Sequence, residues 1–251
     1  MSMSDIKRRT LLAGFAAFGA GACTEIGQTD TAGDLFDTAE DWHRLAHRAL
    51  AGRQRLAPEY APEDRSPDVK GNGSITVETE EYRQALSEGF ASWRLAVTGL
   101  VAQPLSLSLE ELRALPQRTQ ITRHDCVEGW SAIAEWKGPQ LSALLDQAKI
   151  RPEANFIVFR CADTLYGEPY YESVDLVDAY HEQTIIAHEL NGAPLPEKNG
   201  APLRMRIERQ LGYKHAKYLT AIEAVASFDD IGKGKGGFWE DEYDYQWYAG
   251  I

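Results

Sequence analysis

Cysteine is scarce in this sequence: three in 251 residues, at Cys23, Cys126 and Cys161. An odd number at these separations builds no disulfide framework. No CxxC, no CxxCH and no cysteine–histidine cluster is present, which argues against zinc knuckles, attached c-type haem and cysteine-ligated iron–sulfur clusters. Positive charge is short as well, with 26 Lys and Arg against 38 Asp and Glu and a formal net charge of −12. A nucleic-acid partner would need a basic stripe to neutralise phosphates, so the charge argues against that class. No apolar run reaches the roughly 20 residues that span a bilayer. There is no P-loop, which removes one usual sign of a nucleotide-binding fold.

The amino terminus reads as a targeting segment. Lys7-Arg8-Arg9-Thr10-Leu11-Leu12 opens a basic region, and a short apolar run follows from Leu11 to about Ala22. Paired arginines ahead of a Gly/Ala-rich core resemble a twin-arginine signal, whose pathway carries folded cargo. Ala20-Gly21-Ala22 fits a small-x-small cleavage site. With Cys23 it also fits a weak lipobox that lacks the usual leucine, so a lipid anchor at Cys23 stays open beside simple cleavage. The expected organisation is a signal peptide over 1–22, a linker and helical extension over 23–69, and one main domain over 70–251.

Beyond the leader, Leu35, Ala39, Trp42, Ala46 and Ala49 recur at helical spacing. The passage from Pro58 through Gly73 has no period and is long for a structureless loop, so it is expected to wrap a scaffold or line a site. Strands are expected over 93–97, 119–123, 155–161, 203–207 and 218–226. Ser108-Leu109-Glu110-Glu111 is a capping box that starts a short helix ending before Pro116, and 139–148 reads as another helix. Strands and helices alternate irregularly, which favours a mixed α+β domain.

Cys126 lies in Arg123-His124-Asp125-Cys126-Val127-Glu128-Gly129-Trp130, just past an expected strand end. A free cysteine is most often a buried, inert thiol. The charged neighbours Arg123, His124, Asp125 and Glu128 argue against a purely apolar site. His181 and His188 lack the companions of a metal site and read as partly exposed polar residues, and Cys161 reads as core.

The block around Cys126 resembles the molybdenum-cysteine motif of the sulfite oxidase family, closest to its methionine-sulfoxide reductase branch. Asn199-Gly200-Ala201-Pro202-Leu203-Arg204, followed by Gly212-Tyr213-Lys214-His215-Ala216-Lys217, resembles the family's pterin-phosphate segment. Trp93 to Val101, with Leu105-Ser106-Leu107-Ser108, resembles its first strands. These blocks stand in the family's order across 70–251. The resemblance implies a sulfite-oxidase-type molybdopterin-binding domain, α+β, with mixed β-sheets and surrounding helices. It also implies a molybdenum–molybdopterin cofactor, held by a pterin dithiolene and one protein thiolate. A soft sulfur ligand suits such a metal, and a single cysteine suffices.

By the same resemblance, Cys126 is the metal ligand, and Cys126 and Arg123 are the expected catalytic residues. Asn72, Asp163, Asn199, Arg204, His215, Ala216 and Lys217 are the expected cofactor contacts, with Arg204 and Lys217 on the phosphate and His215 and Ala216 donating backbone N–H groups. The aromatic and acidic run from Phe238 to Tyr248 is expected near the site. Five residues beyond the metal cysteine, where sulfite-oxidising members carry an arginine, stands Ser131. The implied activity is oxygen-atom transfer in the periplasm by a monomer, reducing an S- or N-oxide. Electrons would come from a separate haem protein, a membrane cytochrome b or a soluble cytochrome c. Three alternatives stay open: sulfite oxidation, a metal-free thiol enzyme in which Arg123 and His124 activate Cys126, and a non-catalytic pterin-binding module.

Overall fold

The computed structural model describes residues 30–52 and 54–251; the leader, Cys23 and its cleavage or anchoring site lie outside the described residues. The chain divides into two units, Met1–Leu50 and Ala51–Ile251. In the first, the described residues form one helix, α1 (Asp30–Ala51), on which Trp42, Leu45 and Leu50 are exposed. Among the described residues no helix is long and apolar enough to cross a membrane.

The second unit opens with the proline- and glycine-rich passage, which does wrap the scaffold. Tyr60 N–H donates to the Ile121 carbonyl at 2.9 Å and Ser66 N–H to that of Ile133 at 2.8 Å. Regular elements then follow in chain order: α2 (Glu80–Ser87), β1 (Arg94–Gly99), β2 (Leu105–Ser108), α3 (Leu109–Ala114), β3 (Gln117–Cys126), β4 (Trp130–Pro139) and α4 (Leu141–Ala148). After these come β5 (Phe156–Leu165), β6 (Glu168–Asp175), α5 (Leu176–Ala179), β7 (Thr184–Ala187), β8 (Glu189–Leu190), β9 (Ala193–Pro194), β10 (Arg204–Ile207), β11 (Leu219–Val225) and α6 (Phe238–Tyr243). The capping box of α3 is formed: Ser108 Oγ accepts from Glu111 N–H at 3.1 Å, and Glu111 Oε2 from Ser108 N–H at 2.7 Å.

Three sheets result. The largest has the order β2-β1-β11-β5-β6, with β1 and β11 parallel and the other pairs antiparallel. Alternation along β1 sends Leu95 and Val97 inward, where they meet Leu141, Leu144 and Leu145 of α4 and Ile222 of β11 in the main core. Each such fully buried side chain contributes about 1.5–3 kcal/mol of transfer free energy. A second sheet, β3-β4-β8-β9, packs a smaller core around Ala134, Trp136, Ile185 and Ala187. The third sheet pairs β10 with β7 and lies between the two cores. Met205 and Ile207 face the main core, while Arg204 and Arg206 lie over the Trp136 ring at 5.0 and 4.3 Å. The mixed sheets with helices make the α+β class expected of the sequence.

Two strands depart from the apolar pattern. β3 pairs with β4 over ten residues, from Gln117↔Pro139 to Cys126↔Trp130, where only 119–123 is expected. Its inward face is Gln120, Thr122, His124 and Cys126, all buried, so the hydrophobic alternation that marks a strand is missing. β6 is unforeseen for a related reason: it buries Glu172 and Ser173.

Candidate active site

The long β3–β4 hairpin turns through Val127-Glu128-Gly129. Gly129 takes φ +85° and donates its N–H to the Cys126 carbonyl at 3.0 Å, a three-residue loop whose left-handed position glycine fills without strain. Cys126 is therefore the last paired residue of its strand, on the inward face, and only 8% exposed. It lines a cavity of about 130 Å³ together with Asn72, Ser74, Asp163, His215 and Lys217, and with the aromatic walls Tyr170, Tyr213, Trp239 and Tyr245. Burial pushes the Cys126 thiol up, the neighbouring Glu128 carboxylate adds to this, and Arg204 and Lys217 pull it back.

The structure brings most of the expected residues together. Lys217 Nζ donates to the Asn72 carbonyl at 2.5 Å and also to that of Ser74. Burial, with Arg204 nearby, lowers its pKa from 10.5 to about 8. Asp163 Oδ2 accepts from Ser74 Oγ at 2.6 Å; burial raises this carboxyl, and Ser74 and Lys217 partly offset the rise. Asn199, Arg204 and Ala216 lie buried beside this wall. Asn199 Nδ2 donates to the Val69 and Lys70 carbonyls at 3.2 and 3.3 Å, and Arg204 Nη1 to the Asn199 carbonyl at 3.0 Å. Burial and the adjacent Arg206 bring Arg204 down to about 9. Trp239 and Tyr245 place the aromatic tail at the cavity, as expected.

Three expectations need correction. Arg123 does not reach the cavity. Alternation along β3 points it outward, where its side chain is 54% exposed and Nε donates to Asp125 Oδ2 at 2.9 Å. The His215 and Ala216 N–H groups do not form a free anion nest. The Gly212–Lys214 turn engages both, through the Gly212 and Lys214 carbonyls at 3.1 Å each. His181 and His188 are buried rather than partly exposed. Their Nε2 atoms meet the Arg55 carbonyl at 3.1 Å and Gln117 Oε1 at 2.8 Å.

Sequence reasoning passed over the support beneath Cys126. His124 Nδ1 accepts from Arg206 Nη1 at 2.8 Å, and Arg206 holds Glu208 through Nε at 2.9 Å and Nη2 at 2.6 Å. Gln120 Nε2 completes this buried chain on Glu208 at 2.8 Å. A guanidinium only donates, so the His124 proton sits on Nε2. His215 Nε2 faces the Ile207 and Gln210 carbonyls at 3.0 and 3.1 Å, which puts its proton there and leaves Nδ1 as an acceptor. Burial, aided by Arg206, holds both imidazoles well below their ordinary pKa and therefore neutral. The i, i+2 spacing of His124 and Cys126 was the available signal.

Several buried polar atoms in this region have no partner within the protein: Asp163 Oδ1, Asn199 Oδ1, Arg204 Nε and Nη2, His124 Nε2 and His215 Nδ1. Leaving such a group unsatisfied costs about 1–3 kcal/mol, and native proteins carry few. Donors and acceptors gathered around one thiol and two buried cations fit a large polar, anionic ligand with a metal-binding end. Residues 83–230, more than half of the chain, match the family described as the oxidoreductase molybdopterin binding domain. The chain belongs to this family. Its cofactor is molybdopterin with molybdenum, and the orphaned atoms, the thiol and the cations suit that group.

Relatives agree. The chain is 41% identical over 160 residues to a protein named "Putative protein-methionine-sulfoxide reductase subunit YedZ1" from Azospira oryzae, covering 64% of this chain and 56% of that protein. It is 31% identical to the protein-methionine-sulfoxide reductase catalytic subunit MsrP of Campylobacter jejuni, over 53% of this chain and 48% of that one. To the protein of the same name in Xanthomonas campestris it is 30% identical, over 66% and 56%. The chain thus spans about half the length of these relatives. Among solved structures, the sulfane dehydrogenase SoxCD from Paracoccus pantotrophus superimposes with a TM-score of 0.51 at 22% identity, covering 55% of this chain and 39% of that one. That likeness supports the sulfite-oxidase-type fold.

Proposed function

We propose that this chain is an exported oxidoreductase that reduces an S- or N-oxide by oxygen-atom transfer, with protein-bound methionine sulfoxide as the leading substrate class. The observation that carries this reading is the Cys126 thiol, presented at a rigid hairpin end into a cavity ringed by orphaned buried polar atoms and two cations. The names of the relatives support the choice of oxide. When bound, the cofactor supplies a two-electron centre that accepts an oxygen atom.

The chain's own residues then divide the work. Cys126 is the protein ligand to molybdenum. Arg204 and Lys217 hold the cofactor phosphate, Arg204 with the free Nε and Nη2 of its fork and Lys217 as a point charge. Asn199 Oδ1, Asp163 Oδ1 and His215 Nδ1 offer acceptors and His124 Nε2 a donor to its polar edge. Asn72 fixes Lys217 through its carbonyl. Ala216, whose carbonyl accepts from Met205 N–H at 2.7 Å, ties the Lys217 segment to β10. Arg123 has no place in this division; its contact is Asp125.

Ser131 does not line the cavity. It pairs with Asp125 across the hairpin, is exposed, and donates Oγ to Asp125 Oδ1 at 2.5 Å. Ser131 and Asp125 share the outward face with Arg123, away from the cavity lining, so the preference for an oxide over sulfite rests on the relatives' names. The burial of Cys126, which keeps its thiol protonated, argues against a metal-free thiolate enzyme. Export by the twin-arginine route to the periplasm and one-electron delivery by a separate haem protein complete the reading. The test is a reduced-dye assay on protein purified from a cofactor-competent host, offered peptide methionine sulfoxide, N-oxides and sulfite in parallel. Oxide-dependent dye oxidation is expected. Turnover of sulfite with inert oxides would overturn the reading.

A further inference from the structure

Behind the cavity wall lies a charge cluster that the site described so far does not use. Glu172 on β6, Lys214 on the turn after β10 and Glu240 on α6 all have side chains at most 1% exposed. Lys214 Nζ lies 2.7 Å from Glu172 Oε2 and also meets Glu240 Oε1. The other Glu240 oxygen, Oε2, has no hydrogen-bond partner, and Glu172 Oε2 has none beyond its ion pair. These two Oε2 atoms crowd the same point: a Cβ added to Gly237 would lie 2.1 Å from that of Glu240 and 2.4 Å from that of Glu172. Two buried carboxylates facing each other over one ammonium carry an excess negative charge, which one shared proton removes.

Tyr170 links the acidic side of the cluster to the cavity. Tyr170 shares the inward face of β6 with Glu172, lines the cavity, and places its hydroxyl 3.4 Å from Glu172 Oε1 and 2.8 Å from the Tyr213 carbonyl. Phe238 and Tyr213 close the remaining sides.

We infer that Glu172 and Glu240 hold one exchangeable proton between them, and that the Tyr170 hydroxyl hands it from Glu172 to the cavity when an oxide loses its oxygen. This rests on the reading of the cavity as the site of oxide reduction. Reduction of one oxide consumes two electrons and two protons and releases the reduced substrate and one water. The haem donor supplies the electrons, the acid pair one proton and solvent the other. Tyr170 gives up its hydroxyl proton toward the cavity and regains one from Glu172; between turnovers, cavity water returns a proton to Glu172 through the same hydroxyl. Burial and the adjacent Glu240 charge push Glu172 well above the ordinary carboxyl range, against the pull of Lys214. Burial alone would lower Lys214, but the two carboxylates raise it. Burial also keeps Tyr170 protonated at rest, with the charges of Glu172, Cys161, Glu240 and Asp163 adding to the effect.

Glu172→Gln leaves an amide that can donate to Glu240 and accept from Lys214, so the fold survives while the dissociable proton is lost. Infrared spectra of the protein at neutral pH should show a protonated-carboxyl band that is absent in Glu172→Gln and shifts on transfer to heavy water. In Tyr170→Phe the band should persist but exchange more slowly. In the holoenzyme, both variants should lose on the order of a hundredfold in kcat, the scale of general acid catalysis, with KM unchanged and the pH profile of kcat altered. Absence of the band in the wild type, or wild-type kcat and pH profile in Glu172→Gln, would overturn the inference. A wild type inert toward every oxide would count against the proposed function, whereas the band and its exchange in Tyr170→Phe would still decide the acid pair.

Discussion

Lys217 offers a test of the cofactor cradle that needs no cofactor. Its amine is buried and fixed on the Asn72 and Ser74 carbonyls, and its pKa falls from 10.5 to about 8. Below pH 8 both folded and unfolded chains carry the proton. Between about 8 and 10.5 only the unfolded chain binds it, so folding stability rises with pH across that window. The whole interval corresponds to ~3 kcal/mol, and a step from about pH 7.5 to about pH 9.5 recovers ~2 kcal/mol of it. Tyrosines and the thiols titrate nearby, so the quantity to compare is wild type minus Lys217→Met, from urea unfolding of cofactor-free protein at both pH values. The difference should shift by ~2 kcal/mol in favour of the wild type at the higher pH. In the loaded protein the shift should vanish, because a bound phosphate keeps the amine charged. A flat difference in the cofactor-free protein would refute the buried-cation reasoning.

Three further outcomes probe other parts of the structure. Trp136→Ala removes a fully buried ring over which Arg204 and Arg206 lie and should cost about 3–5 kcal/mol in urea unfolding, with loss of bound pterin. Gly200→Ala forces a side chain onto a φ of +105° with its Cβ 2.8 Å from Lys217 Cβ; it should lower stability by at least ~1 kcal/mol and reduce pterin content more than an equal destabilisation elsewhere. Arg123→Ala removes an exposed pair with Asp125 and should change stability by under ~1 kcal/mol and leave kcat/KM nearly unchanged.

The elements that were legible in the sequence are those whose inward faces are apolar. β1 with Leu95 and Val97, α4 with its three leucines, and the capped α3 all follow from periodicity and local hydrogen bonding. The strands that build the site were the hardest to delimit. β3 turns Gln120, Thr122, His124 and Cys126 inward, and β6 turns Tyr170 and Glu172 inward, so burial there is satisfied by polar networks instead of apolar contact. Arg123 went astray for a simple reason: a charged residue three positions before Cys126 looks adjacent in sequence, yet a strand sends it to the opposite face. The same alternation makes His124 its replacement beneath the thiol. The shared proton of Glu172 and Glu240 was out of reach, because the two acids meet only when α6 folds back over β6.

Molybdenum and pterin content of the wild type and of Cys126→Ala, both purified from a cofactor-competent host and assayed for oxide reduction, tests the central assignment most directly. The expected result is stoichiometric metal and turnover in the wild type, with oxide reduction abolished and pterin retained in Cys126→Ala. Oxide reduction by the alanine variant, or by wild-type protein free of metal, would contradict it.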